Sequence, residues 1–350
     1  MALIFVDGFE SFGTTPGAAP VGLTNKWGNN NVGDHDFDTI IAGRFDGFAL
    51  RPSSDSSTFN ATVTPLFPNT QTLVAGVAFR VESLPSSGNF RDIMTFDSSS
   101  GTEVGVAVNS SGGLRVFRLQ NTTSIEESAA GLIEPNKWYY LEMKAAIANS
   151  GSYEVRLDGV DVVSGAGDTQ QTNPFADRVR LVGRNTSSAT VWPNYDDFYV
   201  LDTTGTPNDF LGPRHICTIF PTAAGDSTQW TPNTGNNFEA VDDNGHDTDT
   251  SYIASTSENQ KDLYQFGNVS GATDITAAVV YGIVRKTDVS AFDFISVAKS
   301  NGVEAQGSGQ LVDSTTYHSR PGIFLTDPDT SAAWTESGIN AAQFGLKVGF

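Results

Sequence analysis

The 350-residue sequence holds a single cysteine, Cys217, so no disulfide can form within the chain and the fold needs no oxidising compartment. Positive charge is also scarce. Lys and Arg number 20 against 40 Asp and Glu, a formal net charge of −20. A surface of that sign repels phosphate backbones and anionic bilayers, which argues against nucleic-acid and membrane partners. No apolar run approaches the roughly 18–20 residues of a spanning helix. The opening, from Met1 to Glu10, lacks a basic stretch and meets an acid at Asp7, so it does not read as a signal peptide. Charged residues make up only 17%, below the usual share of roughly 25%.

Ser, Thr, Asn and Gly fill the polar positions instead, a mixture that favours strands and turns over helix interiors. The length suggests about two domains. Short alternating runs between turn signals predict an all-β chain of two consecutive antiparallel β-sandwiches. In 138–144, Tyr139, Leu141 and Met143 share one face while Trp138, Tyr140, Glu142 and Lys144 share the other. In 152–158, Tyr153, Val155 and Leu157 alternate with Ser152, Glu154, Arg156 and Asp158, and Asp158-Gly159 supplies a tight hairpin turn. Runs at 72–81, 103–109 and 195–202 add strands. The Gly/Pro-rich stretch 204–213 is expected to be an exposed linker between residues 1–203 and 214–350. In the second part, 274–285 and 291–298 read as strands. Thr335 is an acceptable N-cap for one short helix with Ile339 inward, and 343–348 returns as the last strand.

Asp7-Gly-Phe-Glu10, Asn136-Lys-Trp-Tyr-Tyr-Leu-Glu-Met-Lys144, the 152–159 hairpin and Tyr195-Asp-Asp-Phe-Tyr-Val200 together resemble concanavalin A-like (laminin G-like) domains. That likeness implies a jelly-roll sandwich over residues 1–203, with first and last strands near each other. Thr228-Gln-Trp-Thr-Pro232, Asp247-Thr-Asp-Thr-Ser-Tyr-Ile253, the 201–205 stretch and the tail from Asp327 to Val348 resemble the C-terminal module of a family of bacteriophage virion proteins. The resemblance implies a jelly-roll-like second sandwich over 214–350. It also implies a non-enzymatic structural component of the virion, on the tail, baseplate or capsid exterior. Its partners would be other virion structural proteins, a homo-oligomeric or symmetric array, and host-surface glycans. The alternatives are a carbohydrate-binding module and, behind it, a glycan hydrolase.

The residues themselves offer little chemistry. Retaining glycosidases hold two carboxyls about 5–5.5 Å apart; Glu154 and Asp158 share a strand face, but Arg156 lies between them and Asp158 belongs to the turn. Ser227, in Gly225-Asp-Ser-Thr228, sits in a turn without a nucleophile elbow. His35, His215, His246 and His318 are scattered, and Cys217 neighbours His215 at two residues' distance. Gly165-Ala-Gly167 lacks the third glycine of a dinucleotide loop. The loop 242–249 concentrates oxygen ligands at Asp243, Asp247 and Asp249 without EF-hand spacing, and Asp196-Asp197 forms a second acidic pair. Either set could hold calcium outside an EF-hand, and the plainer reading of both is a solvated acidic loop. Trp27, Trp192 and Trp230 look loop-like and could stack on sugar rings or anchor an interface. The expectation is therefore no catalytic, cofactor-binding or metal-binding residue and no cofactor.

Overall fold

The structure is a computed structural model, and it describes residues 3–28, 38–52, 60–119, 121–184 and 193–349. The chain is all-β and antiparallel, and it divides into two compact units, Met1–Ile216 and Cys217–Phe350.

The strands of the first unit are β1 (Leu3–Asp7), β2 (Thr39–Ala42), β3 (Phe48–Arg51), β4 (Asn60–Val63), β5 (Thr72–Val81), β6 (Phe90–Ser98) and β7 (Gly101–Asn109). They continue with β8 (Leu114–Arg118), β9 (Thr123–Glu127), β10 (Tyr139–Ala146), β11 (Gly151–Leu157), β12 (Val160–Gly167), β13 (Arg178–Arg184) and β14 (Pro193–Asp202). One sheet runs β12-β11-β10-β5-β14-β3-β2, with β1 also on β14; the other runs β4-β13-β6-β7-β8-β9. The period-two pattern sets their inner faces. Val77, Phe79, Leu141, Met143, Val155 and Val200 come from the first sheet. Phe96, Val104, Val106, Val116 and Leu181 come from the second, and all are fully buried in one core. Each such side chain contributes about 1.5–3 kcal/mol. Asp158 and Gly159 have φ of 51° and 83°, the two left-handed residues the hairpin turn requires.

The outward side of β5 is buried as well, because its residues are small. A Cβ on Gly76 would lie 2.3 Å from the Tyr199 ring and 3.0 Å from that of Tyr140. Trp27 is not loop-like. It is fully buried in the α1 (Leu23–Lys26) corner, stacked on Phe9 and Phe198 with centroids 5.5 and 5.3 Å away. Its indole N–H donates to Asp7 Oδ2 at 2.5 Å.

The stretch expected as a linker lies on the first unit. Asp209 pairs with Lys144 at 3.1 Å, and the Arg156 guanidinium covers the Phe210 ring at 4.1 Å. The N–H groups of Leu211 and Gly212 donate to Tyr199 Oη and Glu142 Oε1 at 3.1 and 2.9 Å. Four polar ties within a dozen residues make this segment part of the fold.

The second unit contains β15 (Pro221–Thr228), β16 (Thr231–Pro232), β17 (Ile253–Ala254), β18 (Lys261–Phe266), β19 (Ala278–Val284) and β20 (Phe292–Ser300). It ends with β21 (Val303–Gln306), β22 (Gln310–Val312), β23 (His318–Phe324), α2 (Glu336–Ala341) and β24 (Gln343–Gly349). Its main sheet runs β15-β18-β24-β20-β21, with β22 also on β20. The facing layer is the two-stranded β19-β23 ribbon. Glycines let the ribbon close on β20: a Cβ on Gly282 would lie 2.4 Å from the Phe294 ring, and one on Gly322 would meet the Ser296 side chain. Thr335 caps α2 by accepting from the Gly338 N–H at 3.0 Å, and Ile339 packs inward beside Trp334 and Phe344.

Candidate functional site

A group of buried titratable side chains lies on the outward face of the first sheet of the first unit. Strand alternation points Tyr140 and Glu142 of β10 outward. On β14 the register slips between Asp196 and Tyr199, and Asp197 has a φ of 51°. This bulge sets Asp196 against the turn at 43–44 and Asp197 against Ile216, while Phe198 turns into the core.

Asp196 Oδ2 accepts from the Arg44 N–H at 2.7 Å, and its Oδ1 accepts from the Asp197 N–H at 2.9 Å. Asp197 Oδ1 accepts from the Ile216 N–H at 2.7 Å, and its Oδ2 lies 3.5 Å from the Arg44 guanidinium. Both carboxyls are almost fully buried. Burial, then the charge of Asp197, pushes Asp196 up to about 8; burial also raises Asp197. Tyr140 donates to the Asp197 carbonyl at 2.9 Å, and burial lifts its hydroxyl well above the phenol range. Tyr199 donates to Glu142 Oε1 at 2.5 Å, and burial raises the Glu142 carboxyl too.

This buried network reaches solvent at one rim. Arg44 lies over the Tyr140 ring at 5.2 Å and over the Phe45 ring at 4.6 Å. The His215 ring meets Phe45 edge-on at 5.2 Å, and His215 Nε2 lies 3.3 Å from Asp46 Oδ1. The Phe45 ring is 65% exposed, and the His215 and Asp46 side chains are 39% and 81% exposed. The rim thus joins an open aromatic face to a carboxylate and an imidazole. Behind it sits the Asp196–Asp197 pair, whose carboxyls burial raises above the ordinary Asp value.

Other candidates are scattered. Glu154 pairs with Arg156 at 2.6 Å, and Asp158 Oδ1 accepts from the Tyr140 N–H at 2.8 Å, so the two do not act together. Ser227 donates to the Lys261 carbonyl at 2.8 Å. Gly165 lies within the β11-β12 ladder opposite Tyr153, and Cys217 is exposed. In the acidic loop, Asp243 and Asp247 both accept from Ser251, at 2.7 and 2.9 Å. Asp249 instead accepts from Arg285 and Tyr317, both at 2.7 Å. His246 packs edge-on against Tyr317 at 4.4 Å, and its partial burial lowers its pKa. Among the described residues no three His, Cys, Asp or Glu side chains gather as a metal site. His318 shares a hydrogen bond with Thr316 at 2.9 Å. Trp230 is half-buried and donates to the Gln260 carbonyl at 3.1 Å. His35 and Trp192 lie outside the described residues.

Sequence reasoning missed Arg44, Phe45, Asp46 and Glu142. No local spacing marks them, because their partners lie some 60–170 positions away.

No family model matches the sequence, and no curated protein does either. Solved structures do match. A glucuronan lyase from the fungus Trichoderma reesei is 15% identical with a TM-score of 0.39, covering 54% of this chain and 96% of that one. An alginate lyase is 11% identical with a TM-score of 0.39, over 56% of this chain and 95% of that one. A Trypanosoma rangeli sialidase is 13% identical with a TM-score of 0.35, and the match spans 29% of its length. The likeness is one of fold. These structures are glycan-processing enzymes and not virion proteins. They overturn the expectation of a non-enzymatic structural component of a bacteriophage particle, and that expectation is withdrawn.

Proposed function

We propose that the chain recognises carbohydrate, and that Phe45, Asp46 and His215 of the first unit form its sugar-binding rim. The observation that carries this reading is the Phe45 ring, open to solvent yet held from two sides by Arg44 and His215. An aromatic ring left in water forfeits much of the gain of burial, so a braced, exposed ring suits a partner with a flat apolar face. A pyranose has such a face on its C–H side. Its equatorial hydroxyls are then within reach of a carboxylate, which accepts hydrogen bonds, and an imidazole, which accepts or donates them. Glycans of the kinds named for the similar structures, glucuronan and alginate, belong in the ligand panel.

The test is a glycan array followed by calorimetry on the whole chain. At least one glycan is expected to bind, with Phe45→Ala weakening it about tenfold or more, or ~1.4 kcal/mol, and Phe45→Trp retaining it. Binding untouched by Phe45→Ala, or no binding across the array, would overturn the reading.

A second reading follows from Asp196. The Asp196–Asp197 carboxyls, raised by burial, lie behind the His215–Asp46 pair, with His215 acting on Asp197, and together these groups offer a proton donor and a proton acceptor, as glycan cleavage requires. Its test is release of reducing ends from the bound glycan. Loss of turnover in Asp196→Asn with binding intact supports it, and no turnover in the unaltered chain overturns it.

A further inference from the structure

The second unit carries a cavity of about 450 Å³, within the roughly 300–1,000 Å³ range of small-molecule sites. It lies where β18 and β24 meet the end of α2. Gln265 and Gln343 are cross-strand partners and present their amides side by side. Thr222, Asn268 and Asn340 add a hydroxyl and two further amides, and Phe266 supplies an aromatic wall. Not one lining residue is charged, in a chain where 17% of residues are.

Part of this lining is set in advance. The Asn340 side chain both accepts from the Val269 N–H and donates to the Val269 carbonyl, each at 2.9 Å. Gln343 Oε1 accepts from the Asp226 N–H at 2.8 Å, and the same side-chain amide also bonds the Asp226 carboxylate, so Gln343 is held in place. Phe266 is braced edge-on against Phe344 at 5.9 Å. Gln265 and Asn268 stand exposed at the cavity's border.

We infer that this cavity is a second ligand site, and that its ligand is an uncharged sugar. An ion entering it would lose water, and the nearby Asp226, bonded to Gln343, already pairs with Lys299 at 2.7 Å. A purely apolar ligand would strip water from several amides and return no hydrogen bond. The remaining class is a neutral molecule dense in groups that both donate and accept, with one apolar face for Phe266. A neutral pyranose has those properties. The inference stands apart from the rim of the first unit and does not depend on it.

The experiment is a titration of the whole chain by calorimetry and saturation-transfer NMR. The probes are glucose, galactose, mannose, N-acetylglucosamine, cellobiose and lactose, with glucuronate and galacturonate as charged counterparts. Saturable binding of at least one neutral sugar is expected, with the matching uronate at least tenfold weaker. The border variants Gln265→Ala and Asn268→Ala should each weaken it severalfold and together about tenfold or more. These positions are exposed, so amide hydrogen exchange in β18 and β24 should match the parent and exclude unfolding as the cause. Binding lost in Phe45→Ala but kept in the double variant would overturn the inference and assign the sugar to the first unit. A preference for the uronate, or no binding by any probe, overturns it outright.

Discussion

Each unit buries one carboxylate against a tyrosine hydroxyl, and the two are served very differently. In the first, Glu142 takes hydrogen bonds at Oε1 from Tyr199 and Gly212, while Oε2 has no hydrogen-bond partner among the described residues. In the second, Asp262 uses both oxygens. Oδ1 accepts from the N–H groups of Gln229 and Trp230 at 2.5 and 2.8 Å, and Oδ2 accepts from Tyr264 at 2.9 Å and from the Asn237 amide. The difference follows from what else holds each unit together. The first has two full sheets packed face to face, and its core tolerates an imperfectly solvated acid above it. The second has one broad sheet under a two-stranded ribbon, and every residue of β19 stays partly exposed. There a polar hub does more of the fastening.

The sharpest way to break this contrast is Asp262→Ala. It removes an acceptor from two part-buried backbone N–H groups and two side chains, and we expect a loss of about 2–3 kcal/mol from the second unit. Hydrogen exchange in β18 should rise steeply while β5 and β10 keep their protection. Equal loosening of both regions would show that the hub is not local.

Acidity should separate the units next. Burial raises Asp196, Asp197 and Glu142, so the folded first unit holds protons that the unfolded chain releases. Its stability therefore falls as pH rises from the ordinary Asp value of 3.8 toward about 8. Exposed Asp226 and Asp249 shift downward through their Lys299, Tyr317 and Arg285 partners, so their small contribution is lost on acidification instead. Exchange in β14 should quicken between pH 5 and 8, and Asp196→Asn should flatten that trend. An unchanged slope in the variant would assign the dependence elsewhere.

Smaller effects sharpen the picture. Thr335→Ala removes the cap of α2 and should cost about 1 kcal/mol in denaturant unfolding of the second unit. Glu142→Gln should change the first unit by less than ~1 kcal/mol. Burial already disfavours the charge on that carboxyl, and the amide oxygen still serves Gly212. A cost above that of Thr335→Ala would mean that the Glu142 charge matters to the fold.

Local chemistry made much of the fold legible. Alternation in 138–144 and 152–158 assigned β10 and β11 to their inner and outer faces. Asp158-Gly159 marked the hairpin, and Thr335 marked the helix start. The candidate site was hidden because it depends on pairings that no local period records. The β14 bulge aims both Asp196 and Asp197 outward where strict alternation would split them. The rim joins Asp46 to His215 across the whole first unit. Trp27 was misread because a tryptophan before Gly28 and a run of Asn resembles a loop, whereas the carboxylate that buries it, Asp7, stands twenty residues earlier.

The pairing of β1 with β14 also governs when the first unit can form. Leu3 pairs with Leu201, and β14 lies between β5 and β3 near the middle of its sheet. A ribosome must therefore deliver about two hundred residues before the opening strand meets its partner, and still more before Ile216 can donate to Asp197. Long-range closure of this kind is slow, and until then β1, β5 and β3 present open edges to neighbouring chains. The same architecture that fastens β1 to its distant partner leaves the unfinished first unit open to edge-to-edge association during synthesis.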